Sequence, residues 1–249
     1  MIEITRANKR NALNHEALSC IKEMLAEVSH PETQARCLII TGEGGTFCSG
    51  ADLSDTAGLG VAQGEGLGDV LDKQFVPVFR LLRQLNMPVI CAMNGPAVGI
   101  GVMLALMGDI ILASEKAYWK LHFSRIGLVP DGGLTYWLPK ILGRHKAMEM
   151  ILLDTKLNAQ QAKELGLVAQ VFPEGKVQEE AISLAQEIAK GAPLAHQSAR
   201  RLVWNSFDNT EEQHGLEESR AQTQCGKSED CKEGVIAFLQ KRSPVFKGK

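Results

Sequence analysis

Apolar residues recur along this chain with two periods, a three-to-four-residue spacing that predicts helices and short unbroken runs that predict buried strands. Asn14 is placed to cap a helix whose apolar face carries Leu18, Ile21, Leu25 and Val28. Residues 37–40 form a short apolar run, read as a buried strand, that ends in the glycine-rich turn Thr41-Gly42-Glu43-Gly44-Gly45. Phe75, Val78, Phe79 and Leu82 mark a second helix. Pro88 then introduces a second buried strand over residues 89–93. This strand ends in Asn94-Gly95-Pro96-Ala97-Val98-Gly99-Ile100-Gly101, and a buried helix is predicted over residues 102–107. Residues 109–113 read as a third strand. Strand, glycine turn and helix thus occur twice in succession, which is the pattern of an α/β chain.

Between these units lies the glycine-rich segment 57–69, AGLGVAQGEGLGD. It suits neither helix nor strand, and the expectation is a loop that closes over a ligand as a lid. The final third is helical throughout. Asn158 opens a short helix closed by Gly166, and Val177, Ala181, Leu184 and Ile188 mark another, ended by Gly191 with Pro193 beyond. Further helical patterns cover residues 194–206, 210–224 and 229–241.

Composition narrows the function classes. The 249 residues carry 27 Lys and Arg against 29 Asp and Glu, a net charge of −2, which gives no electrostatic reason to expect nucleic acid or an anionic membrane. A hydrophobic fraction of 45% supports a substantial core. The six cysteines form no C-x-x-C pair, so buried thiols in a reducing compartment are expected rather than disulfides or a zinc site. The histidines show no metal-ligand spacing. No run approaches the ~18 apolar residues of a membrane span, and the start has no signal-peptide core, so a soluble, cytoplasmic protein is expected.

Both glycine turns follow buried strands and lead toward helices, where unpaired backbone amides collect and can receive a phosphate or a developing oxyanion. A dinucleotide site is excluded on detail: Gly99-Ile100-Gly101 is followed by Leu104 where a third glycine belongs, and no G-K-[ST] ends either turn. A further candidate is Asp131, within RIGLVPDGGLT (residues 125–135). Pro-Asp-Gly is a common surface turn, and these residues alone favour that account. The alternative is a carboxylate aimed into an apolar pocket, where desolvation would raise its pKa into a range useful for proton transfer.

Six motifs occur in order: KRNALN (9–14), FCSGADL (47–53), NGPAVGIG (94–101), DIILAS (109–114), RIGLVPDGGLTYWLPKILG (125–143) and LNAQQAKELGLVAQVFP (157–173). On these the chain resembles the crotonase, or enoyl-CoA hydratase/isomerase, superfamily over nearly its whole length. The resemblance implies an α/β, ClpP/crotonase-like fold of repeated β-β-α turns. Residues 1–193 would form the acyl-CoA-binding and catalytic core, and 194–249 a helical region that assembles a homotrimer or a dimer of trimers. It implies an acyl-CoA thioester as ligand, with coenzyme A entering as part of the substrate and neither a metal nor a separate cofactor. The thioester oxygen would be held by the amides of Ala51 and Ile100, the latter flanked by Gly99. Lys9 and Arg10 would meet CoA phosphates, and the backbone of Ala51, Asp52 and Leu53 the adenine. Phe238 and Lys241 match an F-x-x-K pattern that reaches CoA, often across a subunit boundary. Phe123, with Tyr118, Trp119 and Trp137, is a candidate for the acyl pocket, and His122 for a second acid or base.

Two departures from the hydratase pattern set the expected activity. The places of the two glutamates that hold water in hydratases are taken by Met103 and Phe123, so water addition by that route is not expected. Asp131 stands where Δ3,Δ2-enoyl-CoA isomerases of the peroxisomal type carry a glutamate in Pro-Glu-Gly, and a similar Val-Pro-Asp occurs in isomerases of phenylacetate breakdown. The resemblance therefore implies an isomerase in which Asp131 carries a proton from C2 to C4. The rivals are a hydratase-like enzyme, an epoxide or ring isomerase on an aromatic-derived acyl-CoA, and a non-catalytic acyl-CoA-binding protein. Family members carry a hairpin of a dozen or more residues before this motif, and only Met1 to Asn8 precede it here, so the first strand of that hairpin is expected to be missing.

Overall fold

In a computed structural model the described residues are 1–30, 32–55 and 66–249. The strands are β1 (Ile2–Ile4), β2 (Leu38–Gly42), β3 (Val89–Met93), β4 (Ala97–Val98), β5 (Ile110–Ser114), β6 (Tyr118–Lys120), β7 (Leu157–Asn158) and β8 (Gln170–Phe172). The helices are α1 (His15–Val28), α2 (Leu67–Val70), α3 (Val76–Gln84), α4 (Ile100–Leu106), α5 (Leu134–Leu142), α6 (Arg144–Leu153), α7 (Ala159–Glu164), α8 (Val177–Ala189), α9 (Pro193–Asn205), α10 (Glu211–Gly226) and α11 (Glu229–Leu239). Five strands form a parallel sheet in the order β1-β2-β3-β5-β8, and three form a smaller sheet, β4-β6-β7.

The unbroken apolar runs have a direct cause: both faces of the parallel sheet are covered. Leu38 and Ile40 on β2, and Val89, Cys91 and Met93 on β3, point into the main core with α1, α3 and α4. Their alternates Ile39, Ile90 and Ala92 pack against Val177 and Ala181 of α8. Asn14 caps α1 as expected, its Oδ1 accepting the Ala17 amide at 2.9 Å. The short stretch before the first motif supplies one strand, β1. Ile2 and Ile4 turn inward while Glu3 faces out, and three residues suffice to pair with Ile40, Thr41 and Gly42 at the sheet edge.

The segment 57–69 is described only from Gly66 onward, and its expected lid behaviour otherwise lies outside the described residues. Its end is not a loop. α2 begins at Leu67, with the Gly66 amide donating to Asp69 Oδ2 at 3.1 Å, and continues through a wider π turn (Leu71–Phe75) into α3. α4 starts at Ile100, two residues earlier than the apolar pattern predicts, so the second glycine turn opens straight into a helix.

The C-terminal helices are tied to the core by one buried cation. Arg200 on α9 donates through Nε to Asp109 Oδ2 at 2.6 Å and through its other nitrogens to the carbonyls of Leu82, Arg83 and Leu85. Trp204 Nε1 donates to the second oxygen of the same Asp109. Among the described residues no helix is long and apolar enough to cross a membrane.

Candidate functional site

The two glycine turns lie side by side because backbone hydrogen bonds join them. The amides of Phe47 and Cys48 both donate to Pro96 O at 3.1 Å, and the Val98 amide donates back to Cys48 O at 2.9 Å. Gly101 permits the approach: a Cβ there would lie 2.4 Å from the Cys48 carbonyl oxygen. Gly50 must be glycine for a different reason. Its φ of +98° is left-handed territory, and a Cβ would fall 2.9 Å from Val98 O and 3.6 Å from the Ile100 nitrogen. Gly50 therefore brings Ala51 up beside Ile100. Among the described residues the amides of Ala51 and Ile100 donate to no other group, while their neighbours do: Asp52 to Leu13 O and Gly99 to Lys120 O, both at 2.9 Å. Two free amides at one place form a natural receptor for an oxyanion.

Asp131 is brought near Ile100 by its neighbour in sequence. Gly132 beside it packs so closely that a Cβ would meet the Ile100 side chain at 3.2 Å and the Phe79 ring at 3.1 Å. Gly133 lies against Met103 Cε and the Trp137 ring. The Asp131 side chain is half-buried, and its Oδ1 is buried without a hydrogen-bond partner among the described residues. Burial pushes its carboxyl from 3.8 up to about 6, offset only in part by a bond from its own backbone. A turn carboxylate on the surface would have neither property. Asp131 does open a turn, its carbonyl accepting the Leu134 amide at 3.0 Å, but its side chain is partly withdrawn from solvent.

Met103 and Phe123 are both buried and complete an apolar lining. The Phe123 ring reaches to 4.0 Å from where a Gly99 Cβ would stand. Cys48, between the turns, is no nucleophile: burial pushes its thiol up to about 12, so no thiolate is available near neutral pH.

The other sequence candidates divide. Lys9 and Arg10 are exposed and adjoin the first turn, since the Ser49 amide donates to Arg10 O at 3.1 Å and the Leu13 amide to Gly50 O at 2.7 Å. Leu53 is 69% exposed. Asp52 is committed within the fold. Its carboxylate accepts from Ser54 at 2.5 Å and pairs with Arg6 at 2.9 Å, and these bonds, against some burial, hold its carboxyl below the usual range. Phe238 lies in the last turn of α11, which packs on α10, and is 82% exposed, while Lys241 falls just past the end of that helix. Trp119 is wholly buried in the core. Trp137 packs edge-on against Trp204 and Phe207 of the α9 region at 5.1 Å, so its ring mainly serves that packing. His122 Nδ1 is held by Asp154 at 2.9 Å, a tie that accounts for it without an acid or base role.

Two residues that position the turns were not singled out in the sequence. Asn11, buried with a left-handed φ of 55°, donates from Nδ2 to Glu43 O and Thr46 O. Asn94 accepts the Gly42 amide at 3.2 Å and donates to the carbonyls of Gly44 and Thr46. The signal was present, since both lie in quoted motifs, but an asparagine before a glycine or alanine reads first as a turn residue. Among the described residues no group of three or more His, Cys, Asp or Glu converges as a metal site would require.

The site thus combines two adjoining turns, whose Ala51 and Ile100 amides are free among the described residues, with a partly buried carboxylate. The whole chain, residues 1–249, matches the enoyl-CoA hydratase/isomerase family model, and the chain belongs to that family. It is 38% identical to the 1,2-epoxyphenylacetyl-CoA isomerase of Escherichia coli K12, covering 100% of this chain and 94% of that protein. It is 34% identical to the 2,3-dehydroadipyl-CoA hydratase of the same organism, covering 100% and 95%. The crystal structure of an enoyl-CoA hydratase from Bacillus anthracis superposes with a TM-score of 0.91 at 32% identity, covering 99% of this chain and 95% of that one. The expected crotonase fold is thereby borne out.

Proposed function

We propose that this protein is an enoyl-CoA isomerase that moves a double bond from C3 to C2 of an acyl-CoA thioester, with Asp131 as the base. The observation that carries the reading is the buried Oδ1 of Asp131, without a partner among the described residues and next to Gly132, which packs on Ile100, in a site where Met103 and Phe123 occupy the places of the hydratase glutamates. A C2 proton of a 3-enoyl thioester is acidified by both the carbonyl and the adjacent double bond. Asp131 takes it, and the negative charge moves onto the thioester oxygen, where the amides of Ala51 and Ile100 receive it. The protonated carboxyl then returns the proton at C4, and the double bond comes to rest in conjugation. One base serves both steps because C2 and C4 lie on one face of a short chain. A carboxyl near pKa 6 suits this exchange, being mostly ionised at neutral pH and still a stronger base than an exposed aspartate.

Lys9 and Arg10 would meet the CoA phosphates beside the first turn. In the same reading α9–α11 form the assembly region of a trimer or a dimer of trimers. Exposed Val235, Ile236, Phe238 and Leu239 on α11 supply an apolar face for it. A stable monomer by sedimentation at micromolar concentration would remove that part. A reducing, cytoplasmic setting accords with the six free thiols.

A second reading has its own support. The 38% identity to a 1,2-epoxyphenylacetyl-CoA isomerase favours an epoxide or ring isomerase acting on an aromatic-derived thioester, with the same amides and carboxylate. The experiment is a panel of 3-enoyl-, 2-enoyl- and epoxy-acyl-CoA thioesters, assayed for isomerisation and hydration side by side, with wild type and Asp131→Asn. The expected result is isomerisation that falls at least ~100-fold in the variant while thioester binding persists. Near-wild-type turnover by a folded Asp131→Asn protein would sink the mechanism.

A further inference from the structure

One strained segment outside the proposed chemistry links the second glycine turn to the loop that ends at Asp131. Two non-glycine residues with left-handed backbones, His122 (φ 61°) and Asp154 (φ 54°), lie 32 positions apart and are hydrogen-bonded to each other. Asp154 follows the last residue of α6, and its side chain is buried. Its Oδ1 accepts the His122 amide at 2.7 Å, and its Oδ2 accepts His122 Nδ1 at 2.9 Å. The same Oδ2 faces Lys120 Nζ at 3.1 Å and Arg125 Nε at 3.6 Å. Four donors from residues 120–125 thus converge on one carboxylate.

The segment so gripped touches the site at three points. Lys120 O receives the Gly99 amide, which sets the residue before the Ile100 amide. The Phe123 ring lies against Gly99. The Phe123 carbonyl accepts both the Ile126 and Leu128 amides at 3.0 Å, shaping the turn from which the chain runs through buried Pro130 to Asp131.

We propose that Asp154 is a positioning residue for the reaction, holding His122 in its left-handed conformation so that Phe123, the Gly99 turn and Asp131 keep their mutual geometry. This rests on the enolate chemistry proposed above. A left-handed His is disfavoured by its Cβ, so the conformation needs an external restraint. The convergent donors supply it. Burial alone would raise the Asp154 carboxyl, yet the bonds from His122 and Lys120 outweigh that and hold it below the usual range, so it is ionised at neutral pH.

The test uses the intact protein and three variants. Asp154→Asn keeps an oxygen and tolerates the left-handed backbone, but loses the charge and one acceptor. The expected result is a fall in kcat of at least ~10-fold with KM for the 3-enoyl-CoA changed less than ~3-fold, since misplaced groups impair the transition state more than binding. His122→Gly adopts the left-handed backbone without help, so in that background Asp154→Asn should cost less than ~3-fold. Backbone hydrogen exchange is read in parallel, with faster exchange expected in Asp154→Asn over residues 121–131 and no change in β2 and β3. If Asp154→Asn alone does not fold, the double variant carries the test and must fold and turn over. Unchanged kcat, costs that simply add in the double variant, an unfolded double variant, or unchanged exchange over 121–131 would each overturn the proposal. Asp131→Asn is measured beside them: full turnover by that variant removes the proposed base and leaves the exchange result to decide the role of Asp154.

Discussion

The raised pKa of Asp131 has a consequence for stability that needs no substrate. The perturbation is Asp131→Asn, and the quantity is the difference in unfolding free energy between variant and wild type as pH changes. The folded protein binds the Asp131 proton more tightly than the unfolded chain does, because burial disfavours the carboxylate. Below the unfolded pKa of 3.8 both states are protonated and there is no penalty. Between 3.8 and about 6 the unfolded chain ionises first, so wild-type stability falls as pH rises, and above about 6 the penalty is complete. At ~1.4 kcal/mol per pH unit, the shift from 3.8 to about 6 sets an upper limit of about 3 kcal/mol, which solvent screening at this part-exposed carboxyl cuts to roughly 1–2 kcal/mol. Asparagine does not titrate. Other groups contribute equally to both proteins and cancel in the difference. The Asn variant should therefore gain roughly 1–2 kcal/mol on wild type between about pH 4 and about pH 8, whatever its baseline. Urea unfolding at fixed protein concentration across that range gives the difference at each pH. A difference flat to within ~0.5 kcal/mol, or one that shrinks as pH rises, would refute a desolvated Asp131 and restore the surface-turn account.

Three further outcomes are expected. Gly50→Ala forces a Cβ toward Val98 O at 2.9 Å in a left-handed backbone, so it should cost about 1–3 kcal/mol in urea unfolding and reduce turnover by shifting the Ala51 amide. Arg200→Ala leaves Asp109 without its cation and strips donors from three carbonyls, two of them in buried hydrogen bonds, so a loss of about 3–5 kcal/mol is expected by the same measurement. Met103→Glu combined with Phe123→Glu should add water to a 2-enoyl-CoA faster than either single variant, followed as loss of the conjugated thioester absorbance. No increase in hydration would mean that these two positions do not face the bound acyl group.

Much of the fold was legible because its strands and helices obey simple periods. Val89 to Met93 read as a strand from five apolar residues, and the structure places the strand there because both sheet faces are covered. The smaller sheet was not read. β4 and β7 have two residues each and β6 three, too short for any period to register. α5 carries Pro139 inside it, where a propensity reading would end a helix, yet Trp137 and Leu138 are buried there and packing prevails. Ile2 to Ile4 are short for a strand on their own and become one only because β2 offers an edge. In the site, Ala51 and Ile100 had to come from the motifs. A backbone amide has no side-chain signature, and its freedom depends on how two distant turns meet. Asp154 carried no signal, since an aspartate that ends a helix is commonplace until its partners converge on it.

In the proposed isomerase one set of substitutions both removes an alternative reaction and tunes the base. Two amides that receive a thioester oxygen favour any step that builds an enolate, whether it is followed by addition of water or by return of a proton. Which follows depends on the groups around the α and β carbons. With Met103 and Phe123 buried at the places of the two hydratase glutamates, the proposal has Asp131 return its proton to the carbon chain. Burial lifts Asp131 to about 6, and the residues next to it pack tightly, Gly132 against Ile100 and Phe79 and Gly133 against Met103. Placing glutamates at 103 and 123 would therefore act twice. It would provide groups to hold water, and it would set negative charges near Asp131, whose carboxyl would rise further and be less ionised at neutral pH. The Met103→Glu/Phe123→Glu protein should accordingly lose isomerisation on the acid side first, its pH profile moving to higher pH as hydration appears. An acid limb that stays where the wild type has it would separate the two effects and leave Asp131 tuned by some other group.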